Sequence, residues 1–372
     1  MRISTIKRLS SLAVALFLFV GCLSGCSKKQ APDIAINRSG SIDFYATSPN
    51  QENLPSTAEN LDTNIIPQKD ALGCIASSGD AIYYEACEIE PESLNYLKST
   101  IYKADVDTGD LQEITEIEND GETFYSNELI CIGNSLFWVY RDIDELKIIQ
   151  YDMGTKLQHT LKSYPASMYD IILSGDNRFL SWYEPAEKNI SLFCYDCTSG
   201  NTICLTENAA TDSAYTRAYI NDGILAYLEY TSTGIELVIH DLLSGTTERP
   251  GIISDDFEVT RLQANQKHII CTDGYSRDSS IYLFDEETRG FEKVVLPDLD
   301  YNIFSCHLFD DFILINSNRT NEIIVLNLAT ESYFSVETEE NILQSAISQD
   351  GLFYACVPKN GALVTLDLSE YQ

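Results

Sequence analysis

The sequence predicts an all-β protein, a seven-bladed β-propeller of four-stranded antiparallel blades closed by an N-terminal strand. The main observation is a repeat. Apolar runs ending in an acidic or amide residue recur along the chain: "IYKAD" at Asp105, "IIQYD" at Asp152, "LFCYD" at Asp196, "LVIHD" at Asp241, "IYLFD" at Asp285, "IIVLN" at Asn327 and "LVTLD" at Asp367. Their spacings are 47, 44, 45, 44, 42 and 40 residues, and a period in the forties built of short strands marks a propeller blade. A second observation is the turn after several anchors, "DVDTGD", "DCTSGN" and "DLLSGT", with Gly109, Gly200 and Gly245 four residues on. Glycine supplies positive φ there, and the aspartate is placed to accept bonds from turn amides. A third is the lack of any long amphipathic helical pattern.

From the N-terminus, Arg2, Lys7 and Arg8 precede an uncharged stretch from Leu9 to Ser27 centred on "LAVALFLFV". That is the basic, apolar, small-residue profile of a signal peptide. Its end, Leu23-Ser24-Gly25-Cys26, resembles the bacterial lipobox. The resemblance implies cleavage after Gly25, lipidation of the Cys26 sulfur and durable attachment to the outer face of a cell membrane. Cys22, with Phe19 at its −3 position, fits the pattern less well, and a spanning helix has no use for the small-residue and cysteine ending. Residues 1–25 are thus expected to be a leader, 26–40 a polar tether and 41–372 the propeller.

Within "SIDFYAT", Ile42, Phe44 and Ala46 alternate with polar neighbours as in a half-buried strand. The seventh repeat stops at Gln372, five residues beyond Asp367, and lacks an outermost strand. The N-terminal strand is expected to fill that place, with residues 48–64 crossing to the first unit. In each unit a short apolar segment such as "ELICI" leads, and a strand introduced by Gly, Asp or Asn follows, as in "GNSLFWVY". The anchor strand comes third and a segment such as "LQHTLKS" fourth.

The units resemble TolB-like and quinoprotein-type propellers, in an acidic anchor followed by a "TG" or "SG" turn, over about residues 65–372. Quinoprotein relatives carry docking tryptophans in every blade, whereas this chain has only Trp138 and Trp182, so no cofactor is expected.

The 372 residues, 44% of them apolar, suffice for a large core. With 24 basic against 57 acidic residues the formal charge is −33, falling to −36 once the leader is lost, which argues against nucleic acid as a partner. Nine cysteines follow Cys26, an odd set lying mostly in apolar runs, and core packing is expected. Cys194 and Cys197 are three apart on a strand, hence on opposite faces, and no metal site is expected.

In propellers, ligands meet the face built by second-to-third strand loops and inter-blade loops. Here that face offers Glu88, Glu90, Tyr96, Tyr140, Arg141, Tyr183, Tyr230, Tyr275 and Arg277. Tyrosines at the ends of second strands suit stacking on sugars or gripping a peptide; they equally suit packing blade against blade. His159, His240, His268 and His307 have no ligand spacing, and G-x-S-x-G, phosphate-loop and dinucleotide motifs are absent. The expected function is a non-enzymatic binding or scaffolding propeller for a protein, peptide or glycan. The alternative is a polysaccharide- or peptide-active hydrolase or lyase with a dispersed acidic site at the channel mouth.

Overall fold

A computed structural model of the chain describes residues 35–47 and 70–368, except 80, 90–95, 106–107, 109, 119–124, 142–143, 166–170, 186–188, 212–216, 255–256, 274–279, 297–302, 318–320, 338–341, 349–352 and 359–363. The leader, Cys26 and the 48–64 link lie outside the described residues. What is described is all-β and propeller-like, with four small sheets and one long curled sheet.

Two strands come first, β1 (Ala35–Asp43) and β2 (Tyr45–Ala46). The first repeat unit holds β3 (Asp70–Ser78), β4 (Ala81–Ile89), β5 (Tyr96–Asp105) and β6 (Leu111–Glu118). The second holds β7 (Tyr125–Ile132), β8 (Ser135–Arg141), β9 (Glu145–Asp152) and β10 (Leu157–Pro165). Three further units share the curled sheet. They are β11 (Ser174–Gly175), β12 (Phe179–Pro185), β13 (Ile190–Asp196) and β14 (Asn201–Ala209); β15 (Ile220–Asn221), β16 (Ile224–Thr231), β17 (Gly234–Asp241) and β18 (Thr246–Ile253); and β19 (Leu262–Ala264), β20 (Ile269–Thr272), β21 (Ile281–Asp285) and β22 (Gly290–Val295). The sixth unit holds β23 (Ile303–Phe309), β24 (Phe312–Ser317), β25 (Glu322–Asn327) and β26 (Ser332–Glu337). Among the described residues the seventh holds β27 (Ile342–Ile347), β28 (Phe353–Pro358) and β29 (Val364–Asp367).

The anchors behave as their chemistry requires. Asp152 Oδ1 accepts from Thr155 N at 2.7 Å, and Asp196, Asp241, Asp285 and Asn327 cap the same turn in their units. The turn closes with the amide four residues on bonding the anchor carbonyl, at 2.8 Å for Lys156, Gly200 and Gly245. That fifth residue is left-handed, with φ of 72° at Gly200 and 71° at Gly245. Lys156, Arg289 and Glu331 take the same conformation at 58°, 50° and 51°, where a Cβ costs energy that glycine avoids.

Hydrophobic clusters fill the gaps between successive units, because the inner strands bury both faces while outer strands such as β10 and β14 stay largely exposed. Tyr83 and Ile101 meet Leu136 and Trp138 between units one and two. Phe137 and Ile148 meet Leu180 and Trp182 at the next gap, and Leu192 meets Leu225 and Val238 at the third. Leu314 and Val325 meet Ile342 and Leu366 between units six and seven. Cys194 of β13 lies in the third gap and Cys197, the first turn residue after that strand, against the second, so the two face opposite sides of the sheet. No disulfide occurs among the described residues, and burial pushes the Cys194, Cys197 and Cys306 thiols up to about 12.

The N-terminal strand does not complete the seventh unit. Ala35 and Ile36 pair in parallel with the end of β18, Asn37 to Asp43 with the length of β22, and β2 with the start of β26. The outer strands of units four to six thus run head to tail around the circumference, and the segment lies across them as a strap. Ile36 is 0% and Phe44 1% exposed, and they plug the gaps between units four and five and between five and six. The alternation at Ile42 and Phe44 announced a half-buried strand, but its neighbour is decided by those gaps, which no local pattern encodes. The strap also takes residues 35–40 out of the expected tether. β27 and β28 of the last unit pack directly against β3 of the first.

Candidate functional site

The short leading strands line the axis. A cavity of about 120 Å³ draws on Ser77 of β3, Glu128 of β7, Ser174 of β11, Asn221 of β15, Gln263 of β19, His307 of β23 and Ser345 of β27. Arg217, just before β15, reaches into it and pairs with Glu128. Burial pushes the Glu128 carboxyl above its ordinary range against the pull of Arg217, while that carboxylate holds the Arg217 guanidinium firmly protonated. Gln263 spans to the sixth unit, donating from Nε2 to Cys306 O at 2.8 Å and accepting from Leu308 N at 2.9 Å.

His307 Nε2 and Ser345 Oγ share a hydrogen bond of 3.0 Å, and Ser345 Oγ lies 3.0 Å from Ser305 Oγ, which Asn316 supports. A serine and imidazole at this spacing resemble a nucleophile and its base. The electrostatics oppose that role. Burial, with Arg217 and Arg261 adding to it, holds the imidazole down to about 3, which makes it a weak base toward serine. The bond instead ties the innermost strands of units six and seven together. Among the described residues no three His, Cys, Asp or Glu side chains converge as a metal site.

Arg217 also lines a larger cleft of about 390 Å³, on the face built by inter-unit loops. Tyr183, Tyr227, Tyr230 and Phe257 form its walls, with Ser254 beside them. Two expected residues meet here: Tyr183 is buried in the gap between units three and four, and Tyr230 stands 53% exposed at the rim. Tyr140, Arg141 and Glu88 are not brought to this cleft. Tyr140 packs against the first gap with the Lys147 ammonium 6.0 Å from its ring centre, Arg141 is half-buried at the end of β8, and Glu88 is exposed near the end of β4. Tyr96 opens β5, and its side chain, like Glu90, Tyr275 and Arg277, lies outside the described residues. Arg217, Glu128, His307 and Phe257 were not among the expected residues. The signal available was polar side chains in or just before the apolar leading segments, as in "SNELICI" and "TRAYIND".

A second opening of about 420 Å³ lies at the opposite end, where the first hairpin turns of units three to six present Asp176, Asp222, Lys267 and Asp310. Its groups are already committed. Asp176 Oδ2 accepts from Gly223 N at 2.7 Å, Asn265 Nδ2 donates to Asp310 O at 2.8 Å, and Lys267 pairs with Asp310 and Asp311. These bonds clasp neighbouring units.

No family model matches the chain, and no curated protein matches it. Solved structures do match, and those described next align at low identity. The β-propeller domain of the trilobed protease from Pyrococcus furiosus, described as having an open velcro topology, aligns at TM-score 0.57 and 10% identity over 81% of this chain and 94% of that one. A chain of the mitotic checkpoint complex aligns at 0.55 and 15% over 92% and 98%, and an oligogalacturonate lyase in complex with manganese at 0.51 and 12% over 91% and 100%. Such identities show a shared fold, the β-propeller, and nothing of activity.

Proposed function

We propose that this chain is a membrane-anchored, extracytoplasmic lipoprotein whose seven repeat units form one seven-bladed wheel, and that the wheel binds ligands without transforming them. The observation that carries the binding reading is the aromatic cleft of Tyr183, Tyr227, Tyr230 and Phe257, which meets the axial cavity at Arg217. Concave, aromatic-walled sites with a few placed polar groups are where proteins take small molecules or the ends of larger ones. The packing of β27 and β28 on β3 supports closure of the wheel face to face, without a shared strand. Catalysis has little support in the same cavity, since the one serine–imidazole pair is electrostatically unsuited to it and the buried thiols resist ionisation.

The test has two readouts on the full-length protein. Cys26→Ala is expected to move it from the alkaline-washed membrane fraction to the soluble one; retention in the membrane overturns the anchor. Thermal shifts against peptide and glycan panels are expected to find a binder that Tyr230→Ala weakens; a binder indifferent to that change overturns the site. The raised Glu128 carboxyl is the one observation favouring a hydrolase or lyase, and turnover of a glycan lost in Glu128→Gln would establish that reading in its place.

A further inference from the structure

Arg217 is placed unusually for a structural cation. Its side chain is 33% exposed, set between the cleft and the axial cavity, in a chain whose formal charge is −33. Glu128 engages Nη2. A guanidinium carries five N–H donors, and among the described residues the donors on Nε and Nη1 meet no protein acceptor. Arg261 lies on the same side, bonded to the carbonyl of Ile303 at 3.4 Å with no carboxylate partner among the described residues. It is near enough to His307 and Tyr219 to act on their protonation. Ser254 Oγ, beside the cleft, is buried with no hydrogen-bond partner among the described residues.

Guanidinium donors without acceptors among the described residues, in a cleft walled by aromatic rings and with Glu258 also in its lining, describe half of a recognition site. The missing half is an anion, and the shape of the walls says what carries it. Phe257 and Tyr227 are buried and fixed, Tyr230 is exposed and free to close over a flat or greasy body, and about 390 Å³ suits a small organic molecule or a single terminal residue. A carboxylate fits the remaining guanidinium edge in two parallel bonds, which an amine cannot do and an amide does weakly. Phe257 is itself held from outside: Arg38 of the strap lies 5.0 Å over its ring and pairs with Asp273 at 3.1 Å. The wall is thus built before a ligand arrives.

Resting on the binding reading above, we infer that the cleft takes a carboxylate joined to an aromatic or apolar body, with Arg217 receiving the carboxylate and Tyr230 and Phe257 enclosing the body. The acidic surface repels such a ligand at long range, so selection falls on the contact itself, and salt is expected to speed association.

Three probes share one body: 4-hydroxyphenylacetate, 4-hydroxyphenylacetamide and tyramine. Calorimetry with the full-length protein in detergent is expected to rank the acid at least about tenfold tighter than the amide, with the amine weakest. Arg217→Gln alone would take the guanidinium partner from Glu128, so the informative variant is Glu128→Gln with Arg217→Gln, which removes both charges together. It is expected to abolish the advantage of acid over amide while Tyr230→Ala weakens both. Equal binding of acid and amide to the natural protein, or a ranking unchanged in the double variant, overturns the inference. If no probe binds while a panel glycan or peptide does and depends on Tyr230, only the carboxylate assignment falls. If nothing in either set binds, the binding reading falls with it.

Discussion

Units four to six and unit seven finish their outer edges by different physics. On the strapped side a strand from the far N-terminus pairs along β18, β22 and β26 and drives Ile36 and Phe44 into the gaps behind them. Unit seven has three described strands and no strap; it is held by an apolar gap with unit six and by the hydrogen-bonded chain His307, Ser345, Ser305 and Asn316 near the axis. Units one to three blunt their outer edges differently again, with register shifts between their last two strands, as at Thr160/Lys162, which bend an edge away from pairing. The contrast teaches that a wheel of similar units need not be sealed in one uniform way. Apolar plugs stabilise at any ordinary pH, whereas a polar clasp near the axis carries a titratable group.

The largest effect should come from the strap. Phe44→Ala removes a ring that is 1% exposed, and is expected to cost about 3–5 kcal/mol in denaturant unfolding; Tyr45→Ala, 57% exposed one residue on, should cost little. Hydrogen exchange would sharpen the contrast. Amides of β22 and β26 should lose protection in Phe44→Ala while those of β9 keep it, and uniform loss across both would break it.

The second effect is pH-dependent and belongs to the seam. His307 is held down to about 3 in the folded protein, against about 6.5 for an ordinary imidazole. Below the ordinary value the unfolded chain binds a proton that the folded one refuses, so this group's effect is to withdraw stability as pH falls from about 6.5 toward 3. His307→Gln should flatten the stability profile across that window. A natural protein whose stability does not change from neutral pH to pH 5 would contradict the assignment. Asp152, Asp241 and Asp285 act lower, because turn hydrogen bonds hold their carboxyls below the ordinary range; the stability they add is present above about 4 and fades beneath it.

The smallest effect lies in the turns common to both sides. Lys156→Gly, Arg289→Gly and Glu331→Gly each relieve a left-handed Cβ while loosening the unfolded chain, for a net gain of at most about 1 kcal/mol. Gly200→Ala and Gly245→Ala should move the melting temperature the other way. The same sign in both sets would refute the shared-turn account.

Much of this was legible before any coordinates. The period, the capped anchors, the opposite facing of Cys194 and Cys197 and the burial of most thiols are all local consequences of strand alternation and turn chemistry. The strap's place was not, because Ile42 and Phe44 disclose that a face is covered without naming the cover. The axial cluster was hidden for a related reason. Glu128, Arg217 and His307 stand 89 residues apart for the first pair and further for the next, and only the wrapping of the units brings them to one axis. Tyrosines at the ends of second strands drew notice because they recur, yet recurrence is also what inter-unit packing produces, as Tyr140 and Tyr183 bear out.

The strap has a mechanical corollary. Tension arriving from the N-terminal side enters at Ala35 and runs along the axis of β1, in line with its ladder to β22. Force applied in that direction shears the rungs together instead of peeling them singly, so the joint resists sudden tugging far better than its modest length suggests. If the protein is anchored as proposed, a body tied down through such a joint swings at its mooring under flow without coming undone.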